Sequence, residues 1–308
     1  MAVIKKEFFY PSSCGNCNIH AISWKPTEEP KAIIQFAHGM AEYGNRYESM
    51  AKYFAAHGYA FYINDHLGHG KSINDEYELG YFGENENGHV FVDDEKKLTD
   101  IIKMENPGKP VVIYGHSMGS FITRVYLSKY GNDVDAAVVC GTAGPNPAIG
   151  VAKFLTSILN KTSPHKGGKL MNKLAFMGWN GKTEKRTTFD WLSVDTENVD
   201  KYIADPLCGF LFTNNGFRAL ITLNDYINAA EVYEGTPKDL PIYLIYGEGD
   251  PVGAYGKGIA QVKEAYDKSG HTKVSVKGWP NARHEIHNES AIATDVYDDV
   301  MAWVAANV

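Results

Sequence analysis

The stretch PVVIYGHSMGS, residues 110–120, contains a serine between two glycines, directly after an apolar run. The apolar run predicts a buried strand, and residues 118–130 predict a helix. Ser117 then lies in the turn between strand and helix, with Gly115 and Gly119 two positions away on either side. This context is typical of a nucleophile elbow, where a strained turn exposes the serine and small residues let strand and helix approach closely. The alternative is an ordinary loop serine, and motifs elsewhere decide between the two.

Apolar, β-rich runs recur along the chain, with amphipathic helical stretches between them. From the third run onward most are almost continuously apolar, as expected of strands that are covered on both faces. The predicted strands are 6–11, 19–24, 31–37, 59–65, 110–115, 135–141, 242–247 and 272–277, and the predicted helices are 46–57, 89–105, 118–130, 216–233, 255–269 and 290–306. This alternation predicts an α/β fold with a mainly parallel eight-stranded sheet and helices on both faces. No helix separates the first two strands, so we expect an antiparallel start.

Residues 146–213 interrupt this rhythm, because they contain no convincing sheet strand. We expect a helical cap here, inserted after the sixth strand into a core made of residues 1–145 and 214–308. Within 148–161, apolar residues at helical spacing indicate either packing against the core or a wall of an acyl-chain tunnel. These residues are Ile149, Val151, Ala152, Phe154, Leu155, Ile158 and Leu159.

The charge of the cap differs from that of the whole chain. Residues 148–190 contain eight lysine and arginine residues against two acidic ones, a net charge of +6, whereas the chain carries −7. A basic cap over an acidic body is suited to transient contact with anionic lipid interfaces. The alternative is a solvated helical face.

The composition limits the classes of function. With 308 residues, 44% apolar and 22% charged, the chain is an ordinary globular protein. Its negative net charge disfavours nucleic acid as a partner. No window is apolar enough for a membrane span and no signal peptide is evident, so we expect a cytoplasmic protein. Cys14 and Cys17 have the spacing of a zinc ribbon but no second pair, which favours a simple hairpin turn.

A serine nucleophile needs a base and an orienting carboxylate, which follow it in the chain order serine, acid, histidine in this type of fold. Asp250 lies in LIYGEGDPVG (244–253), in a glycine-rich loop directly after a strand. His284 lies in ARHEIHNE (282–289), after the last strand. All three side chains fall at the carboxyl edge of the sheet, where open α/β sheets bind ligands. Glu248 is the alternative acid.

The tetrahedral intermediate needs two N–H donors. One is expected from Met118, the residue after the nucleophile, and the other from Met40 in FAHGMAEYGNRY (36–47). His284 and His287 lie three positions apart, whereas the zinc-binding HExxH helix needs a spacing of four. The sequence therefore predicts neither a metal nor another cofactor.

With these residues in place, the chain resembles the α/β-hydrolase family of monoacylglycerol lipases and lysophospholipases, which is often grouped with serine aminopeptidases. The matching motifs, in family order, are HGMAEYGNRY, DHLGHGKS, GHSMGS, DPL (205–207), YGEGDPVG and RHEIHNE. The resemblance covers nearly the whole chain apart from the cap. It implies a triad of Ser117, Asp250 and His284, with Met40 and Met118 at the oxyanion hole.

The resemblance also implies a site for the leaving alcohol. In the lipases a glutamate, an arginine and a second histidine lie near that alcohol, and Glu42, Arg46 and His287 occupy their positions here. Tyr43 stands where the family often has histidine.

The sequence thus predicts a serine hydrolase of carboxylic esters of the monoacylglycerol or lysophospholipid type, which forms an acyl-enzyme on Ser117. One alternative is an aminopeptidase or amidase on the same fold, in which Glu42 receives the free amino terminus. Another is a catalytically silent, hydrolase-like receptor for a small ligand. The complete set of three catalytic groups speaks against the receptor, because a binding protein has no use for them.

Overall fold

The computed structural model of the protein describes residues 2–75, 78–83 and 87–308. One sheet contains the strands β1 (Val3–Pro11), β2 (Asn18–Pro26), β3 (Ile33–Ala37), β4 (Ala60–Asn64), β5 (Val111–His116), β6 (Ala136–Cys140), β7 (Ile242–Gly247) and β8 (Val274–Trp279). Their order across the sheet is β1-β2-β4-β3-β5-β6-β7-β8. β2 pairs antiparallel with β1 and β4, and all the other pairs are parallel. The predicted fold class and its antiparallel start are confirmed.

Helices cover both faces of this sheet, as predicted. They are α1 (Glu48–Ala56), α2 (His89–Glu105), α3 (Met118–Tyr130), α4 (Ile149–Thr162), α5 (Lys169–Ala175), α6 (Thr196–Ala204), α7 (Asn214–Tyr226), α8 (Ala230–Gly235), α9 (Lys257–Lys268) and α10 (Ala293–Asn307). Alternate residues of β5 enter two separate cores: Val111 and Ile113 pack with α2, α3, α7 and α9, whereas Val112 and Tyr114 pack with α1 and α10. The apolar runs of the sequence are continuous because both sides of each central strand are buried.

The prediction of a single helix over 216–233 is wrong. Two helices, α7 and α8, occupy this region and are separated at Ile227–Ala229, where Ala229 has an extended backbone. The fully buried guanidinium of Arg124 in α3 donates a hydrogen bond of 2.6 Å to the carbonyl of Ile227 and also bonds the Tyr233 hydroxyl. Arg124 therefore binds a backbone carbonyl at the point where α7 ends. Because Arg124 lies 103 positions before Ile227, no local sequence pattern reveals this contact.

α4, α5 and α6 all lie between β6 and β7, in the segment where the sequence predicts a cap. On α4, Ala152, Leu155 and Leu159 pack against the core. Val151, Phe154 and Ile158 instead remain exposed. The apolar stripe predicted on this helix therefore splits into a packed side and a solvent-facing side.

Two further features concern the environment of the chain. Among the residues that the structure describes, no helix combines the length and the apolar character needed to cross a membrane. Among the described residues no disulfide forms, and Cys14, Cys17, Cys140 and Cys208 are all in the thiol state.

Candidate active site

Ser117 occupies a strained turn between β5 and α3. Its φ of +54° is unusual for a residue with a side chain. A Cβ added to Gly119 would lie 2.0 Å from the carbonyl oxygen of Ala37, and one added to Gly115 would lie 2.2 Å from the carbonyl oxygen of Gly119. Both glycines are therefore required for helix and strand to approach closely, as in a nucleophile elbow.

Asp250 and His284 follow β7 and β8 respectively, and the fold brings them into contact. His284 Nδ1 lies 2.9 Å from Asp250 Oδ2, and both side chains are buried. Glu248, the alternative acid, is exposed to solvent. Within the part of the chain that the structure describes, Nε2 of His284 has no hydrogen-bond partner. The imidazole is thus oriented through one nitrogen while the other can exchange a proton with a substrate.

The surroundings of His284 make it a stronger base than an ordinary histidine. Burial by itself disfavours the charged imidazolium. The charge and hydrogen bond of Asp250 outweigh burial, and the charges of Glu285 and Glu42 act in the same direction. The pKa of His284 therefore lies above its ordinary value, which suits the abstraction of a proton from a hydroxyl group.

A cavity of about 950 Å³ opens between the carboxyl edge of the sheet and the segment that contains α4 to α6. Ser117 and His284 both line it, together with Met40 and Met118. Aromatic and aliphatic side chains form most of its opposite wall: Phe176, Trp179, Phe189, Trp191, Leu192, Phe210 and Leu211. An apolar cavity with a few convergent polar groups is the usual form of a small-molecule site.

The two predicted oxyanion donors lie at this cavity in fixed backbone segments. Met118 is the first residue of α3, where backbone N–H groups have no partner within the helix. Met40 follows Gly39, whose own N–H donates to Glu42 Oε1 at 2.5 Å. On the other side of Met40, the carbonyl of Ala41 accepts hydrogen bonds from the Tyr202 hydroxyl and from the backbone N–H of Gly209. The turn is thus held on both sides of Met40.

The three residues predicted near the leaving alcohol do not all reach the cavity. Glu42 lines it, but Arg46 and His287 do not. His287 is fully buried against the rings of Tyr47 and His116. Burial strongly lowers the pKa of His287, which keeps its ring neutral.

Glu42 is committed to protein groups. Its carboxylate accepts hydrogen bonds from the Gly39 N–H, the Tyr47 hydroxyl at 2.7 Å and the Arg46 guanidinium at 2.7 Å. Burial opposes its ionisation, but the hydrogen bond with His116 and the charge of Arg46 hold the pKa of Glu42 well below its usual range. Glu42 is therefore a buried anion whose oxygens are already used.

His116, Cys140 and His287 bring three potential metal-ligand atoms within 4.8 Å of one another. They come from two strands and a distant loop, so sequence spacing gave no signal for this group. The ring of His116 is already engaged with the Tyr47 hydroxyl and the carbonyl of His284, each at 3.2 Å. A structural zinc site uses four protein donors, whereas His116, Cys140 and His287 supply three.

Sequence reasoning missed Glu285, although it directly follows His284. Its carboxylate forms a bidentate pair with Arg46, at 2.7 and 2.6 Å, and accepts a hydrogen bond from Asn198 of α6. Adjacent charged residues in RHEIH were the available signal, but the partner lies 239 positions away.

Known proteins resemble this chain in sequence and in fold. The sequence model of the family described as serine aminopeptidase, S33, matches residues 28–291. The chain belongs to this family. S33 relatives include the monoacylglycerol lipase of Mycolicibacterium smegmatis, which is 29% identical over 286 residues and 92% of either chain. Human monoglyceride lipase is 26% identical, over 92% of this chain and 85% of its own length.

Solved structures of an esterase and a lipase also resemble this S33 protein. A highly thermostable carboxyl esterase from Bacillus coagulans, solved in complex with glycerol, superposes with a TM-score of 0.92 at 29% identity and covers 100% of this chain and 99% of its own. A lipase in its open form gives 0.88 at 25% identity, over 98% and 99%. The protein is an α/β-hydrolase enzyme, and the predicted family is confirmed.

Proposed function

We propose that the protein is a serine carboxylic-ester hydrolase that acts on monoacylglycerols and related single-chain lipids such as lysophospholipids. The observation that carries this proposal is that Ser117 and His284 line the same largely apolar cavity, with His284 hydrogen-bonded to Asp250. The relatives named monoacylglycerol and monoglyceride lipase and the glycerol-bound esterase support a glycerol ester as substrate.

The proposed reaction uses an acyl-enzyme and no cofactor. Ser117 Oγ attacks the acyl carbonyl while His284 Nε2 accepts its proton, and Asp250 stabilises the imidazolium that forms. The N–H groups of Met40 and Met118 bind the developing oxyanion. His284 then protonates the leaving alcohol, and water hydrolyses the acyl-enzyme by the same route.

The charges of the cavity favour an ester over a peptide with a free amino terminus. Among the described residues, its only acidic lining groups are Glu42 and Glu285, and both are paired with Arg46. An aminopeptidase needs a carboxylate that can bind the substrate ammonium group. Glu42, predicted as that group in the aminopeptidase alternative, is only 2% exposed.

A substrate panel tests this proposal. The wild-type protein and Ser117→Ala would be assayed on monoacylglycerols of short, medium and long acyl chain, on lysophosphatidylcholine and on an aminoacyl anilide. We expect hydrolysis of the esters by the wild type alone, with the anilide at least about a hundredfold slower. Preferred cleavage of the anilide, or undiminished ester hydrolysis by Ser117→Ala, would contradict the proposal. Binding of an ester without turnover by the wild type would favour the silent receptor.

The proposal includes the division of the chain into a core, 1–145 and 214–308, and a cap, 146–213. The cavity lies between these two parts, since residues of both line it. We also propose a cytoplasmic location, since cysteines that are not oxidised to disulfides are compatible with a reducing compartment.

The outer face of the cap is proposed to contact anionic lipid. Six apolar side chains of α4, α5 and the following turn are between 41% and 71% exposed: Val151, Phe154, Ile158, Leu170, Leu174 and Met177. Neighbouring lysines give the same segment its positive charge. Exposed apolar groups among lysines are suited to a negatively charged lipid surface. Ile149 of α4 and Ala175 of α5 line the cavity, so both helices also reach the proposed site.

Vesicle sedimentation separates this role from that of a solvated face. We expect binding to vesicles with phosphatidylserine, weakened by salt, by Phe154→Ser and by the pair Lys166→Glu and Lys169→Glu. Phe9→Ser is the matched control, because Phe9 is 58% exposed on the edge strand β1. The double substitution of Lys166 and Lys169 by glutamate should lower the turnover of anionic micelles more than the turnover of a soluble short ester. Equal losses on both substrates would contradict a role in lipid contact.

A further inference from the structure

We propose that Arg46 is a positioning residue, which holds the loop carrying His284 and the turn carrying Met40 in fixed relation through two buried carboxylates. This inference rests on the proposed function, because it concerns the same reacting groups. It gives Arg46 a different role from the contact with the leaving alcohol that family resemblance implies.

The contacts of Arg46 join two segments that are remote in sequence. Nη1 donates to Glu42 Oε2 at 2.7 Å and to Glu285 Oε1 at 2.7 Å, while Nη2 donates to Glu285 Oε2 at 2.6 Å. The side chains of Arg46, Glu42 and Glu285 are only 11%, 3% and 2% exposed. Ion pairs that are excluded from water in this way are weakly screened, and loss of one partner leaves an uncompensated buried charge.

One end of this arrangement determines the position of the oxyanion turn. Glu42 Oε1 accepts the N–H of Gly39, which immediately precedes Met40. A Cβ added to Gly39 would lie 2.6 Å from Glu42 Oε1 and 3.1 Å from Ser117 Cβ, so the turn is confined between the carboxylate and the serine. A shift of the Glu42 carboxylate would therefore move the N–H of Met40 relative to the reacting carbonyl.

The other end determines the position of the histidine loop. Glu285 follows His284 directly, and its N–H donates to the carbonyl of Leu192 at 2.8 Å. Its Oε2 also accepts the Asn198 amide of α6 at 2.8 Å. The ring of Tyr202, also in α6, lies 4.9 Å from the Arg46 guanidinium. α6 is thus joined to the same assembly.

Only arginine provides this geometry. Its planar fork of donors matches one carboxylate in bidentate fashion and reaches a second one at the same time, whereas lysine offers a single point charge. The ionisable groups that face His284 are Asp250, Glu42, Glu285, His116 and His287. Loss of Arg46 would leave two of these carboxylates unbalanced beside the imidazole.

The test compares Arg46→Met, Arg46→Lys and Glu285→Gln with the wild type on a soluble ester, across pH. For Arg46→Met we expect kcat to fall at least about thirtyfold, with KM changed less than about threefold, because only the reacting groups are displaced. The acid limb of its kcat/KM profile should move to higher pH, since unbalanced carboxylates favour the imidazolium. Glu285→Gln removes an anion and should move that limb to lower pH. Arg46→Lys should recover part of the lost kcat.

Arg186→Met is the matched control, because Arg186 pairs with Asp200 at the surface of the cap. Active sites would be counted by covalent labelling, so that misfolded protein does not enter kcat. A rise in KM alone in Arg46→Lys or Glu285→Gln, or an unchanged pH profile in Glu285→Gln, would overturn the proposal even if Arg46→Met fails to fold. Absence of ester hydrolysis in the wild type would instead contradict the proposed function.

Discussion

Gly141 shows how closely single residues surround the proposed base. It follows β6 with a φ of +61°, and a Cβ added there would lie 3.0 Å from His284 Cε1 and 3.1 Å from His284 Nδ1. Because glycine has no side chain, the His284 imidazole can pack against this position while it contacts Asp250. The sequence offered only a glycine after an apolar run, since the histidine lies far along the chain.

Gly141→Ala is expected to lower kcat on esters by about tenfold or more, because the new methyl group would displace His284 from Asp250. Gly108→Ala is the control, since Gly108 has a φ of +73° with nothing within 4 Å of its added Cβ. Both variants should lose about 1–2 kcal/mol of stability from backbone strain. Steady-state kinetics and thermal unfolding would check this, and equal activities of the two variants would contradict it.

For single residues, local motifs were sufficient to propose catalytic groups, but they did not reveal which side chains contact one another. The reaction constrains the residue types of Ser117, Asp250 and His284, and the fold constrains their chain order, so local motifs were enough to propose them. Arg46 and His287 were assigned by resemblance alone. Their surroundings depend on Glu285 and His116, which reach them from distant segments.

At the scale of elements, the strands were predictable because burial on both faces makes them apolar throughout. Helix ends were harder to predict where tertiary contacts decide them, as for α7 beside Arg124. α6 has a local signal: the Asp195 side chain accepts hydrogen bonds from the N–H groups of Glu197 and Asn198. This cap matters beyond the helix, because Asn198 contacts Glu285.

Asp195→Ala should therefore destabilise the protein by about 1 kcal/mol, the usual cost of losing an N-cap. We also expect a lower kcat, since a frayed α6 withdraws Asn198 from Glu285. Asp200→Ala on the same helix, which breaks only a surface ion pair with Arg186, should cost less than about 0.5 kcal/mol. Urea unfolding and ester assays would test both variants. A cost for Asp200→Ala equal to that for Asp195→Ala would argue against the capping role.

At the scale of the whole molecule, the core beneath β3 holds an ionisable group that the composition did not reveal. Glu95 of α2 is fully buried and accepts a hydrogen bond from Gln35 at 2.6 Å. Burial raises the pKa of Glu95 to about 8. A carboxyl group with a raised pKa in the folded state stabilises the fold below its unfolded pKa and loses that contribution as pH rises.

The contribution of Glu95 to the free energy of unfolding should therefore fall as pH increases from about 4.5 to about 8, because Glu95 in the folded protein retains a proton that the unfolded chain releases. Glu95→Gln should remove this component. The stability of this variant relative to the wild type should increase by on the order of 4 kcal/mol between pH 5 and pH 9. Urea denaturation at several pH values would measure it, and a constant difference would contradict a buried, protonated Glu95.

The proposed reaction depends on Ser117 as the nucleophile. Reaction with a fluorophosphonate, followed by mass spectrometry of the labelled peptides, tests this role. We expect one adduct per molecule, on Ser117, formed in step with the loss of ester hydrolysis and absent from a folded Ser117→Ala protein. An adduct on another residue that abolishes activity, or an active protein that forms none, would contradict it.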